Sequence, residues 1–499
     1  MTRLSAIAGL GALCAGALAL SACAVGPNYL QPPATPHADG AFVSAPGAGA
    51  TTSQPPDDWW RLYDDPTLSD LVARALVANT DLRQAEANLA RARATLGEAR
   101  AAQFPTTTLS GGASYGRSAT ADDSAATSAA LHTALANVPG ANPSVFGPTS
   151  AQAGWVYQAG FDMNYEVDLF GRVRRSIEAA RADTQSVEAA RDAVRITVAS
   201  DVARAYLDGC AYAEELAVAQ RNLALAQSDF DLTNQQFQAG TLSQLEAARA
   251  QTVLEQARAV VPVLEGQRNA NLFALAALLG VAPKDAPQDA MRCAAPPKLS
   301  TPIPAGDGVA LLLRRPDVRE AERTLAAETA RIGVATASLY PTVSLGGSIA
   351  TAAPQGANLL SNAYVSYGLG PLISWNFPNI LVARARIGEQ RATAQAALAA
   401  FDGTMLTALK EAEQSLATYG AELDHNAALT RARDASQTAY TLVQQRYRAG
   451  TISQLDLITA EQTLIQAEQA LAQSDQSLSE DQVAVFKALG GGWKSVPRT

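Results

Sequence analysis

The chain carries one tight-turn motif twice. Gln236-Phe237-Gln238-Ala239-Gly240-Thr241-Leu242-Ser243-Gln244-Leu245-Glu246 returns 210 residues later as Arg446-Tyr447-Arg448-Ala449-Gly450-Thr451-Ile452-Ser453-Gln454-Leu455-Asp456. This offset holds without a gap from Phe230/Tyr440 to Gly280/Gly490. Upstream, a second correspondence runs at an offset of 236, pairing Asp81 with Asp317, Phe104-Pro105-Thr106 with Tyr340-Pro341-Thr342, and Leu109 with Leu345. Such self-similarity predicts one structural unit built twice, with a single stretch of each half differing in length.

Composition removes several classes of function. The chain has 499 residues, a formal net charge of -9 and only 6% aromatics. A phosphate-binding face needs clustered Lys and Arg, so no nucleic-acid partner is expected. After residue 22 no stretch offers the ~18 unbroken apolar residues of a membrane-spanning helix. Residues 1–22 read as an export signal, with Arg3 as the positive region and Ala6 to Leu20 as the apolar region. The signal ends in Leu20-Ser21-Ala22-Cys23, which resembles a bacterial lipobox and makes Cys23 the acylated first residue of the mature protein. The alternative is an ordinary secretory signal with a coincidental cysteine. Cys210 and Cys293 remain; in an oxidising compartment they either pair or stay as two buried thiols.

Residues 23–65, rich in Pro, Gly, Ala and Ser, read as an acylated N-terminus and extended tether without helical pattern. The first repeat then spans 66–290, with a helix from Pro66 to about Gln103 and helices over about 172–239 and 241–279. A linker follows at 291–306. The second repeat spans 307–490, with helices over about 307–338, 380–449 and 451–489, and 491–499 form a tail. A tract of nearly seventy residues would be about 100 Å long at ~1.5 Å per residue. That length points to coiled-coil-like packing. Pro262 interrupts one tract, where a bend is expected. Gly240 and Gly450 suit a left-handed cap, and Ser243/Glu246 and Ser453/Asp456 have capping-box spacing. Ala239-Gly240-Thr241 and Ala449-Gly450-Thr451 are therefore read as hairpin tips.

Four segments have the opposite period. From Trp155 to Leu169 every odd position is apolar or aromatic, while even positions include Gln158, Asp162, Asn164, Glu166 and Asp168. The expected strands cover about 106–117, 153–169, 342–351 and 362–377. Alternation of this length with aromatic ends matches a membrane strand, although a soluble sandwich strand has the same period. The offset falls from 236 to 210, so the second half lacks 26 residues between its two strands. The long loop at about 118–152 and its short counterpart at about 353–361 therefore differ in length. Loop length varies freely in open solvent, which puts these loops at the extracellular rim. The helical arms then point into the periplasm.

Four strands cannot close in a bilayer, because each unpaired N–H or C=O at a lipid-facing edge costs several kcal/mol. A dimer would give eight strands with a lumen filled by side chains; a trimer would give twelve around an aqueous lumen. Here the residues resemble a family. The lipobox at Cys23, Gly26-Pro27-Asn28-Tyr29, Asp58-Trp59-Trp60, Arg315-Pro316-Asp317, the Phe-Pro/Tyr-Pro strand entries and the paired Ala-Gly-Thr tips look like a TolC-like outer membrane efflux protein. Within that family the chain is most similar to the NodT-type lipoprotein branch. The resemblance implies an α+β membrane protein: a homotrimer whose four strands per chain form a twelve-stranded barrel in outer membrane lipid, continuous with a long periplasmic α-barrel. It also implies a periplasmic adaptor protein and an inner-membrane pump of the resistance-nodulation-division type as partners.

No pattern for covalent chemistry emerges, so neither an enzyme nor a cofactor is expected. His37, His132 and His425 are scattered without metal-ligand spacing, and there is no phosphate-binding loop or nucleophile elbow. The resemblance makes the chain a passive conduit for small toxic compounds, with Tyr447, Arg448, Asp456 and Thr459 at a periplasmic gate and the two tips docking the adaptor. Three copies of Asp456 would form an acidic ring that attracts cations. Some relatives carry a second acidic residue where this chain has Thr459, so a single ring is expected. The capping box with Ser453 is the purely structural role open to Asp456. Two other readings stand beside this one: the outer component of a type I protein-secretion system, and a structural periplasmic coiled-coil lipoprotein.

Overall fold

A computed structural model describes residues 24–33, 40–117, 153–375, 377 and 379–491. Cys23, His37, the 118–152 loop with His132, and Asn376 lie outside these residues. The elements in chain order are α1 (Pro66–Ala78), α2 (Thr80–Ala101), β1 (Thr106–Arg117), β2 (Ala153–Val167), α3 (Arg172–Gln238), α4 (Gln244–Leu278), α5 (Gly308–Arg314), α6 (Pro316–Ala337), β3 (Thr342–Ala353), β4 (Val365–Ser374), α7 (Ile380–Arg448) and α8 (Gln454–Ala488). The chain divides into two compact units, the first comprising 1–31, 91–185 and 323–398, the second 32–90, 186–322 and 399–499. Among the described residues no helix is long and apolar enough to cross a membrane.

The first unit holds one antiparallel sheet in the order β1-β2-β3-β4. β2 ends at Val167, two residues before the expected limit, because Asp168 turns away to cap α3. Its carboxylate accepts from Val173 N (3.0 Å) and Arg174 N (2.9 Å). Gly171, at φ +81°, lets the chain reverse there, and Ala24 packs so closely against it that a Cβ would collide. The N-terminal strap is fixed at this junction: Val25 N donates to Phe170 O (3.1 Å), and Arg175 donates to Val25 O, Gly26 O and Asn28 Oδ1. Tyr29 completes the strap beneath the Arg323 guanidinium, 5.7 Å from its ring centre.

The second unit contains the largest apolar core, drawn from α1, the middle of α3, α7 and α8. Its central side chain comes from the segment expected to be an extended tether. Trp59–Tyr63 forms a 3-10 turn, and Trp59 is fully buried, stacked on Phe486 at 4.8 Å with Trp60 and Tyr63 edge-on. Residues 40–65 are therefore a packed strap rather than a spacer, held also by bridges of Ala41 to Asp307 and Thr51 to Pro304. Cys210 on α3 and Cys293 are joined by a disulfide across 83 residues.

Two expected helices are broken, and at matching positions. The 66–103 helix divides at Asn79, and the 307–338 helix divides at Arg315, its counterpart at the 236 offset. Asn79 Oδ1 caps the new helix by accepting from Asp81 N and Leu82 N, while its Nδ2 donates to Leu278 O at the end of α4 (2.9 Å). Arg315 Nη1 donates to Ala488 O at the end of α8 (2.9 Å), and its other nitrogens reach Asp317 and Glu411. Leu278 and Ala488 are themselves counterparts at the 210 offset. Each break thus supplies the donor that receives an orphan carbonyl at the end of the long hairpin. Pro262 lies inside α4, which continues through it.

Candidate functional site

Register decides what the sheet can do. Leu109 pairs with Phe161, Phe161 with Ile349, and Ile349 with Tyr367, so one apolar row crosses all four strands. Side chains alternate between faces with period two. Trp155, Tyr157, Ala159, Met163 and Tyr165 therefore share this face with Val343, Leu345, Leu369 and Ile373. The opposite face carries Thr108, Ser110, Gln158, Asp162, Asn164, Glu166, Ser344, Ser348 and Ser366, with Val156, Ala350, Ala352 and Leu372 as apolar exceptions. The apolar row lies open: Leu109 is 83% exposed, Ile349 55% and Tyr367 86%. An apolar face this large is not left in water. Aromatic pairs bound it at both ends, Tyr115 with Trp155 (5.5 Å) near the loop end and Trp375 with Phe377 (4.9 Å) near α7. Both edge strands, β1 and β4, present unpaired backbone in a single chain.

In the second unit the long helices reverse at the two repeated tips. Gly240 and Gly450 take φ of +77° and +68°, the left-handed conformation that closes a helix at least cost in glycine. The closing bonds match: Gly240 N donates to Phe237 O and Thr241 N to Gln236 O, as Gly450 N does to Tyr447 O and Thr451 N to Arg446 O. Both capping boxes are formed, Ser243 with Glu246 and Ser453 with Asp456. Each next helix accordingly begins at Gln244 or Gln454, three residues after the expected start.

The gate candidates divide into two groups. Asp456 and Thr459 are exposed three residues apart, on one face of the first two turns of α8. The Ser453 hydroxyl and backbone N–H hold the Asp456 carboxyl below the ordinary carboxylate range. Tyr447 instead turns inward, and its OH donates to Gln236 Oε1 on α3 (3.1 Å). Arg448 is exposed. Residues that the sequence reading missed tie the same tip to α3: Gln454, 5% exposed, donates to Thr233 Oγ1. Among the described residues no group of three His, Cys, Asp or Glu side chains is placed to hold a metal ion.

Comparison with known proteins follows the same lines. A family model described as "Outer membrane efflux protein" matches residues 71–281 and 309–491. The chain is 29% identical over 492 residues to the toluene efflux pump outer membrane protein TtgF of Pseudomonas putida, covering 96% of each. It is 28% identical over 482 residues to nodulation protein T of Rhizobium leguminosarum, covering 95% of this chain and 92% of that one. Among solved structures, the outer-membrane channel OprN superposes with a TM-score of 0.82 at 33% identity, covering 94% of this chain and all of that one.

Proposed function

The chain belongs to the outer membrane efflux protein family, and on that footing we propose that it is the outer membrane channel of an efflux pump. It is a passive duct and not an enzyme, and it carries small toxic compounds out of the cell. The observation that carries this reading is the open four-stranded sheet with one apolar face and one polar face. A lone sheet with free edges is untenable in lipid. Joining β4 of one chain to β1 of the next in a homotrimer removes every edge, turns the apolar rows to lipid and lines the lumen with Ser, Gln, Asp and Asn. The aromatic pairs then sit at the two membrane surfaces.

The two repeats, 66–290 and 307–490, each give the assembly one strand pair and one helix hairpin. The hairpins reach into the periplasm, where Ala239, Gly240, Thr241, Ala449, Gly450 and Thr451 meet a periplasmic adaptor that couples the duct to an inner-membrane pump of the resistance-nodulation-division type. Cys23 carries the lipid anchor. Support comes from the docked strap, which brings Ala24 against Gly171 beside the end of β2, where the sheet meets the membrane surface.

Asp456 and Thr459 line the constriction at the tips, with Tyr447 and Arg448 behind them. Planar-bilayer recording tests this assignment. Asp456→Ala should weaken cation preference and raise conductance. Glu246→Ala removes the equivalent capping box from α4 and should leave the record unchanged, which separates a lumen charge from a helix cap. Identical traces for wild type and Asp456→Ala would remove Asp456 from the gate.

A further inference from the structure

Helix α3 carries Asp201, Asp208, Glu215, Asn222 and Asp229 at intervals of seven residues. A heptad interval keeps side chains on one seam of a packed helix. The seam is buried or half-buried, and Asp208 Oδ1, Glu215 Oε1, Asn222 Nδ2 and Asp229 Oδ2 lie out of water without a hydrogen-bond partner. It faces α8, which runs the other way. Lys487 approaches Asp201 at 3.7 Å, Glu480 lies against Asp208, Glu461 against Asp229, and Gln454 donates to Thr233. At the end remote from the tip Lys487 meets Asp201, and Arg204 and Gln476 moderate the Asp208–Glu480 contact. Nearer the tip, carboxyl meets carboxyl.

The Glu461–Asp229 contact is the most enclosed of these. Glu461 is 1% exposed, and its Oε1 has no donor. It lies within hydrogen-bonding reach of the Asp229 carboxyl. Two carboxylates cannot accept from each other, and two like charges in such a site would repel strongly. One proton between them resolves both problems, because it supplies a donor and removes a charge. Among the described residues no other side chain donates a hydrogen bond to Glu461 Oε1. Helix α7 contributes Tyr440, whose OH accepts from Gln444 and which feels both carboxyls and Arg448, and Tyr447, which feels Asp229 and donates to Gln236. Helix α4 contributes the apolar Val253, clustered with Ala226 and Ile458, while Arg258 is taken up by Glu255 and Gln227.

We propose that Glu461 and Asp229 share one proton across the α3–α8 contact and so form a latch that holds the tip of the α7–α8 hairpin against α3. The inference rests on reading this tip as the gate. Drawing α8 away from α3 breaks the Gln454–Thr233 and Tyr447–Gln236 bonds and brings Glu461 into water. Burial and the neighbouring Asp229 carboxyl hold the closed-state Glu461 well above the ordinary glutamate range, and in water it returns to that range, about 4.3. The latch is therefore complete at pH below the open-state value and is lost as pH rises through the closed-state one. Between the two, opening releases a proton from each chain, and the open-to-closed ratio rises up to about tenfold per pH unit per chain.

Planar-bilayer conductance of the purified full-length protein, followed from about pH 5 to about pH 9, tests the latch. Wild type should open progressively as pH rises. Glu461→Gln keeps the shape and donates permanently to Asp229, so its conductance should stay low and flat across the range. Glu461→Met fills the same space without a donor and should be flat and high. Asp456→Ala should keep the wild-type slope, because its carboxyl titrates below this window. A Glu461→Gln channel that still opens with rising pH would overturn the latch. Wild type that conducts at no pH would instead overturn the duct on which the latch rests.

Discussion

Placing arginine at Phe161 should abolish the assembled protein in the outer membrane, whereas arginine at Gln158 on the same strand should be tolerated. Phe161 occupies the middle of the apolar row, between Leu109 on β1 and Ile349 on β3. Arginine near the mid-plane of a lipid-facing strand costs about 2–4 kcal/mol. Three chains bear that penalty at once in a trimer, against a total domain stability of only about 5–15 kcal/mol. Gln158 points to the opposite face, where water solvates an added charge and the expected effect is a shift toward anion permeation. Refolding yield into lipid vesicles, followed by the amount of heat-modifiable oligomer, gives both readings. Equal tolerance of the two substitutions would mean that the alternation does not separate lipid from lumen.

Trp59→Ala should produce the largest loss of stability in the second unit. Trp59 is fully buried against Phe486, Trp60 and Tyr63, and deleting a buried ring of this size costs about 3–5 kcal/mol through lost transfer energy and the cavity left behind. Its indole N–H has no acceptor, so packing alone holds the ring. Trp59→Phe should consequently be much milder, since the stacking on Phe486 survives and no hydrogen bond is lost. The midpoint of urea unfolding of the helical signal, compared for the two variants, measures the difference. An unchanged midpoint in Trp59→Ala would show that the Asp58-Trp59-Trp60 segment is peripheral after all.

Much of this architecture could be read before any coordinates, because periodicity and repetition are local in sequence. The turn at Gly240 and its copy at Gly450 carry their own instructions: a left-handed residue followed by a serine cap with an acid three positions on. The strands announce themselves through odd-numbered aromatics, and the register places those residues on one face. What stayed hidden depends on partners far away in the chain. Asn79 sits in a sequence that reads as continuous helix, and the arrival of Leu278 O explains its role at the break, whereas the break at Arg315 also had a local sign in Pro316, which lacks an N–H and starts the next helix. The Pro-rich segment before Pro66 hides a core tryptophan, since low helical propensity says nothing about burial. Asp208, Glu215 and Asp229 recur at heptad spacing that the sequence reading passed over, and nothing in α3 alone reveals that acids on α8 face two of them.

The reading depends most on the four strands being one third of a shared, lipid-embedded wall, so the composition of the extracted particle tests it directly. Native mass spectrometry of the protein released from outer membranes by detergent should return three chains per particle, with no material released in the absence of detergent. A single chain that leaves the membrane fraction in plain buffer would contradict it, because its apolar row from Leu109 to Tyr367 would then have found cover without lipid or neighbours.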